Sequence, residues 1–273
     1  MPGPSIQGSV TVITGASAGI GRAAAHEFAR AGARIVLAAR DRDRLEAVAR
    51  EIETFQPEVL AVPTDVTDRA QVGRLIGEAR GRFGRIDILI CNAGVGLYSP
   101  VEEMPEEALR RVFEVNFFGV MACVQEALPS MREQGAGLIQ FVSSVIGRRA
   151  VPGYSGYCAT KFALYALAES LRLELAGTGV LVQTVYPALT ATDFSKNAII
   201  RRPSRIAPRI APMPPEVVAR QMLRAARRGS RDHIVTVGGR ALALLNGIVP
   251  GFVDEVMVHV LRPGGVGALS RRR

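Results

Sequence analysis

Ser9-Val10-Thr11-Val12-Ile13-Thr14-Gly15-Ala16-Ser17-Ala18-Gly19-Ile20-Gly21 is the stretch that decides how this chain folds. Its first six residues are small or β-branched, with no charge on either face, as in a strand covered on both sides of a parallel sheet. Three glycines then turn the chain into a run of helix-favouring residues ending near Ala31. Glycine permits the tight turn and lets the backbone approach a ligand closely, while the first helical N–H groups carry a partial positive charge without internal partners. A pyrophosphate suits that arrangement, so a dinucleotide is expected over Thr14, Gly15, Ser17, Gly19, Ile20 and Gly21.

The same alternation continues outward. Residues 34–38, 59–62, 86–91, 137–143, 180–185 and 233–237 are further apolar strand-like runs, and residues 19–31, 41–55, 68–82, 105–131, 155–176 and 215–228 have helical length and composition. Asp68 and Ser155 stand where N-caps belong. Seven strands alternating with helices predict an α/β, Rossmann-type doubly wound parallel sheet with helices on both faces. Its ligand crevice lies beyond the C-terminal strand ends. Neither a linker nor a repeat interrupts the pattern, so residues 1–273 are read as a single domain.

Composition agrees. With 48% hydrophobic and 22% charged residues, the 273-residue chain can bury a full core, which excludes a disordered or collagen-like protein. The three cysteines, Cys91, Cys123 and Cys158, form no CxxC pair, and His26, His233 and His259 have no ligand spacing. Neither a disulfide framework nor a metal site is expected, and a reducing cytoplasm suits the chain. The first ten residues do not resemble a signal peptide, and no apolar run approaches the roughly 18 residues of a membrane span, so a soluble, unprocessed protein is expected.

The net charge of +9 is unevenly placed. Residues 1–192 hold 19 Lys and Arg against 20 Asp and Glu, whereas residues 193–273 hold 15 against 5. Phe194 and Phe252 are the only aromatic residues in that basic third, which argues against nucleic-acid stacking. A solvated basic face and an acidic partner, such as a phosphate-bearing substrate or anionic lipid, both remain open. Residues 193–215, rich in proline and arginine, read as a substrate loop beside the crevice. In the C-terminal extension, residues 240–273, the mostly apolar stretch 241–253 suits a helix packed at a subunit interface or over the pocket. An interfacial membrane anchor is the alternative.

Around the expected crevice, polar residues recur at strand ends. Arg40 follows the second strand, where a carboxylate would bind the adenosine ribose of NAD. An arginine there favours NADP over NAD, with Arg22 as a second cation for the 2′-phosphate. Asp65 and Val66 follow the third strand, toward the adenine, and Asn92-Ala93-Gly94 follows the fourth. Ser144 ends the fifth, and its hydroxyl could hold a substrate oxygen. Tyr157 and Lys161 then share a helix face, so an ammonium can favour the ionised phenol and tune it as a proton donor. With five tyrosines and two lysines in the chain, chance predicts roughly 0.04 such pairs.

Thr14-Gly-xxx-Gly-Ile-Gly21, Asn92-Ala-Gly94, Asn116, Ser144 and Tyr157-xxx-Lys161 together resemble the classical short-chain dehydrogenase/reductase family, over about residues 8–238. The resemblance implies that Tyr157 is the general acid or base and that Ser144 orients the carbonyl. It implies that Lys161 binds the nicotinamide ribose while lowering the Tyr157 pKa, and that Asn116 holds a relay water. Pro187 to Thr192 is similar to the family's nicotinamide-contacting segment, with Ala188 in place of glycine. The expected protein is an NADP-dependent oxidoreductase of carbonyl or secondary alcohol substrates, assembled as a homodimer or homotetramer. A non-catalytic NADP-binding scaffold or sensor, with peripheral membrane contact, is the alternative.

Overall fold

The computed structural model describes residues 3–261, apart from 195, 197 and 201–210. Seven strands form the expected parallel sheet. The chain enters through β1 (Val10–Thr14), α1 (Gly19–Arg30), β2 (Arg34–Ala39), α2 (Arg42–Glu53), β3 (Val59–Pro63) and α3 (Arg69–Phe83), then returns to the centre with β4 (Ile88–Cys91). A two-residue strand, β5 (Leu97–Tyr98), precedes α4 (Glu106–Phe113), α5 (Gly119–Glu133), β6 (Gly137–Val142), α6 (Ser155–Glu174) and β7 (Val180–Tyr186). After β8 (Ile199–Ile200) come α7 (Pro215–Arg228), β9 (Asp232–Ile234), α8 (Val237–Ile248) and α9 (Pro250–Leu261). The sheet order is β3-β2-β1-β4-β6-β7-β9, and the winding direction reverses between β1 and β4. That reversal opens a crevice at the C-terminal strand ends.

Register explains why β1 is apolar on both faces. Val12 is paired with Val36 on one side and Leu89 on the other, so every side chain of β1 is covered by helices above or below. Phe28, Leu45 and Met222 of α1, α2 and α7 fill one layer. Leu75, Met131 and Leu164 of α3, α5 and α6 fill the other.

Local chemistry sets several boundaries. The Asp68 side chain accepts from Ala70 N at 2.9 Å and Gln71 N at 3.2 Å, capping α3 as expected. Ser155 does not cap α6: Tyr154 holds that position, and the Ser155 hydroxyl is buried without a hydrogen-bond partner among the described residues. The helix expected over 105–131 is two helices joined through a π turn, Glu114–Phe118, because one extra residue is accommodated where Asn116 turns inward. The last strand stops at Ile234 rather than 237, since the Thr236 hydroxyl accepts from Gly239 N at 3.1 Å and starts α8. The stretch 241–253 is helical and mostly exposed. Between 237 and 259 only Gly239 and Val253 are buried. Within the expected substrate loop, β8 pairs with β5 and Thr190 bridges to Met213, while residues 201–210 lie outside the described residues.

Candidate active site

The glycine turn and the turn after β4 are stitched together across the reversal. Thr14 Oγ1 accepts from Asn92 N at 3.0 Å and Ala93 N at 3.1 Å, and Asn92 Nδ2 donates to Thr14 O at 2.9 Å and Gly15 O at 3.2 Å. Gly15 has φ +66° and Gly19 φ +54°, the left-handed region where a side chain is strained. A Cβ on Gly21 would lie 2.2 Å from Gly15 O, so α1 can start this close to the turn only with glycine there. No side chain caps α1 and its first turn holds no acid, which leaves its N–H groups available to an anion. Ser17 is half-buried in the turn, and Ile20 packs on the core beneath. This cradle fits the pyrophosphate of a dinucleotide.

A cavity of about 530 Å³ runs along the outer side of α1, lined by residues including Gly19, Arg22, His26, Thr192 and Lys196. It borders the cradle but does not include Tyr157, and its cations are paired internally: Lys196 with Asp193, Arg30 with Glu27 and Arg22 with Glu51. The last pair involves Arg22, expected from the sequence as a second cation for a 2′-phosphate. Its half-exposed guanidinium donates to Glu51 Oε2 at 3.1 and 2.7 Å, and His26 Nε2 lies 3.0 Å from the same oxygen. Arg40, just past β2, is exposed. Nearby, burial pushes the Asp65 carboxyl up. Bonds from Thr67 N and Oγ1, together with the charges of Arg40 and Arg111, outweigh that and hold it below its ordinary range. Val66 packs against Gly119, where a Cβ would lie 2.8 Å from its Cγ2.

The other cluster lies at the ends of β4 and β6. Ser144 is extended, with φ −164°, and caps the turn Val145–Gly147 through a long 3.4 Å contact from Ile146 N. Two contacts fasten that turn. Val145 N donates to Pro187 O at 2.9 Å, and Ser143 Oγ donates to Lys161 O at 3.2 Å. Tyr157 and Lys161 are both buried in α6, and the Lys161 Nζ lies 5.6 Å from the Tyr157 ring centroid while donating to Val142 O at 3.0 Å. A Cβ on Gly94 would lie 3.8 Å from Lys161 Nζ and 3.2 Å from Asn116 Oδ1, so the turn after β4 covers both residues.

Burial dominates the electrostatics here. It pushes the Tyr157 phenol up and the Lys161 ammonium down to about 8. Burial thus sets the net direction of the phenol shift in the protein alone. The ammonium spends a proton on Val142 O, and both groups have lost their water. The Asn116 side chain is fully engaged within the protein. Its Oδ1 accepts from Val95 N at 2.8 Å, and its Nδ2 donates to Val95 O at 2.9 Å and Thr160 Oγ1 at 3.1 Å. The side chain is thereby occupied, and a water at this position would need the main-chain carbonyl.

Thr192 presses its methyl toward Gly19, 3.0 Å from where a Cβ would stand, and its Oγ1 accepts from Phe194 N at 3.3 Å. Ala188 needs no glycine, since no non-glycine residue among those described has positive φ. Sequence reasoning missed Phe194, whose ring centroid is 5.5 Å from that of Tyr157, and Thr160, which bonds Asn116. Phe194 is the sole aromatic residue of its loop, which was the available signal; Thr160 had none. Among the described residues no group of His, Cys, Asp or Glu could hold a metal, and the three cysteines are buried and unpaired.

The sequence profile of the short chain dehydrogenase family matches residues 9–202. The chain belongs to that family. This short chain dehydrogenase is 34% identical over 241 residues to the dehydrogenase/reductase SDR family protein 7-like of Drosophila melanogaster, covering 85% of this chain and 73% of that protein. It is 38% identical to the glycine betaine reductase ATRR of Emericella nidulans over 71% of its own length, but spans only 15% of that relative. A short chain dehydrogenase/reductase from Burkholderia phymatum, solved with NAD, matches at TM-score 0.84 and 30% identity over 91% of this chain and 96% of that one. A short chain dehydrogenase from Burkholderia cenocepacia, solved with NADP, matches at 0.79 and 27% over 95% and 100%. The short chain dehydrogenase described here is accordingly an oxidoreductase with a Rossmann-type nucleotide-binding fold.

Proposed function

We propose that this short chain dehydrogenase is an NADP(H)-dependent enzyme interconverting a carbonyl and a secondary alcohol, with Tyr157 as the proton-transferring group. The observation that carries this reading is the burial of Tyr157 and Lys161 together, 5.6 Å from ring centroid to Nζ, under the Asn92–Gly94 turn that is tied to the glycine cradle. Residues 14–21 hold the pyrophosphate, Asp65 and Val66 border the adenine, and Asn92, Ala93 and Gly94 line the path toward the nicotinamide. Pro187 and Thr192 would hold the nicotinamide end of the cofactor. Exposed Arg40, with no acid at the end of β2, favours a 2′-phosphate and therefore NADP over NAD.

NADPH, when bound, supplies the hydride for carbonyl reduction. Ser144 donates a hydrogen bond to the substrate oxygen and aims it at Tyr157, which gives up its phenolic proton as the alcohol forms. A phenol raised by burial stays protonated at neutral pH, the form that reduction requires. Lys161 stabilises the phenolate left behind and hydrogen-bonds the nicotinamide ribose, while a water on the Asn116 carbonyl passes a proton back. Phe194 walls the substrate space beside Tyr157. Reduction in the cytoplasm by a homodimer or homotetramer completes the proposal.

NADPH oxidation followed against a panel of carbonyl compounds tests it. Turnover is expected with at least one, and Tyr157→Phe is expected to lower kcat by roughly 10²- to 10⁴-fold with NADPH binding retained. NADPH binding without turnover on any panel member, and no effect of Tyr157→Phe, would replace the enzyme with a nucleotide-binding scaffold.

A further inference from the structure

We propose that the α8–α9 hairpin is a docking surface for an anionic phospholipid bilayer. More than half of the large hydrophobic side chains that stand exposed on the described protein lie in this one hairpin. Leu244, Leu245, Ile248, Val249, Phe252 and Val256 run from the end of α8 across the junction into α9, and Leu244, Ile248 and Phe252 are 65%, 67% and 59% exposed. Continuous apolar surface of this kind marks an interaction site rather than a random scatter of surface residues.

The hairpin is held in a fixed orientation by its polar groups. Asn246 Oδ1 accepts from Arg149 Nη1 at 3.2 Å, Asn246 Nδ2 donates to Arg148 O at 3.3 Å, and Asp254 Oδ1 accepts from Arg149 Nη2 at 2.5 Å. At its root, Gly239 lies so close to Val145 and Thr236 that a Cβ would meet them at 3.0 and 2.8 Å. Asn246 and Asp254 thus tie the hairpin to Arg148 and Arg149, and the apolar side chains named above are left exposed. Each helix is 12 residues long, and no described helix is long and apolar enough to cross a membrane, so the hairpin can lie in the interface but not span it.

Charge decides between a bilayer and a second copy of this chain. The hairpin and the chain that follows it, residues 237–273, hold five arginines against Asp254 and Glu255, a net +3. Arg240 is exposed on α8, and residues 262–273, which follow α9 directly, contain Arg262, Arg271, Arg272 and Arg273 without an acid. Glu255, exposed on α9, is the one acid of the hairpin not paired with Arg149. A symmetric pairing of two hairpins would join two segments of the same positive net charge. An anionic surface complements them, and an apolar face followed in sequence by a basic segment supplies the two signals that stable peripheral binding needs.

The purified full chain is to be sedimented with phosphatidylcholine vesicles with and without phosphatidylserine, in low and high salt, and its mass measured without lipid. Phosphatidylserine is expected to raise binding roughly tenfold, with most of the gain lost in high salt. The triple variant Leu244→Asn, Ile248→Asn, Phe252→Asn leaves every charge in place and is expected to lower binding to the anionic vesicles by roughly tenfold. Its thermal unfolding is expected to be unchanged, since these side chains are already exposed. Binding indifferent to phosphatidylserine, or undiminished in the triple variant, would overturn the proposal. So would a lipid-free oligomer that the triple variant dissociates, which would assign the face to a second copy. These readouts are independent of catalysis and stand whether or not turnover is found.

Discussion

Replacing Lys161 with methionine is expected to make the protein more stable while removing the group placed beside Tyr157. The Lys161 side chain is 4% exposed, and burial lowers its pKa from 10.5 to about 8. The folded state therefore binds this proton less tightly than the unfolded chain. Below pH 8 the ammonium is charged in both states, and folding bears the whole penalty, about 3 kcal/mol, since each pH unit between the folded and unfolded pKa values is worth about 1.36 kcal/mol. Between pH 8 and 10.5 only the unfolded chain retains the proton, so the penalty fades as pH rises. Methionine fills a similar volume without the charge, and losing the 3.0 Å bond to Val142 O returns part of the gain. A net gain of about 2 kcal/mol at pH 7 raises Tm by about 4–8 °C in a chain of this size. Thermal unfolding of both proteins without cofactor, from pH 6.5 to 10, checks this. The gap is expected to narrow steadily above pH 8. A variant less stable than the wild type at pH 7, or a gap that does not change with pH, would refute the reasoning that burial of this ammonium is a stability penalty retained for function.

Three further outcomes follow from the site. Gly21→Ala places a methyl 2.2 Å from Gly15 O and is expected to abolish NADPH binding measured by calorimetry, because the helix must move off the turn. Arg40→Asp is expected to lower kcat/KM for NADPH by roughly 10- to 100-fold and to spare or improve NADH, through loss of a charge-assisted contact of about 1.5–3 kcal/mol; an unchanged cofactor ratio would remove Arg40 from recognition. Asn116→Ala strips Val95 N, Val95 O and Thr160 of a partner and is expected to cost about 2–3 kcal/mol by denaturant unfolding, with the midpoint lowered and the slope unchanged.

The parallel sheet was legible because strands covered on both faces are apolar throughout, so β1, β2, β4, β6 and β7 stand out from helices with polar stripes. Tyr157 and Lys161 were legible because a four-residue spacing on a helix leaves little freedom in placement. The Arg22–Glu51 pair was not: the two residues are 29 positions apart, and nothing near position 22 signals that α2 brings Glu51 there. The π turn at Glu114–Phe118 was equally hidden, because the extra residue is accommodated through Asn116 bonding Val95 and Thr160, which are remote in sequence.

Local order along the chain, namely which segments are strands, which are helices, where the glycine turn falls and that Tyr157 and Lys161 share a face, was determined by the sequence alone. These features depend on side-chain periodicity and on interactions a few residues long. Tertiary structure alone decided which charges are neutralised, how far burial moves the phenol and the ammonium, that the Asn116 amide is occupied, and that the C-terminal apolar residues face outward. Each of these depends on desolvation and on partners supplied by distant segments, quantities that do not exist until the chain has closed on itself.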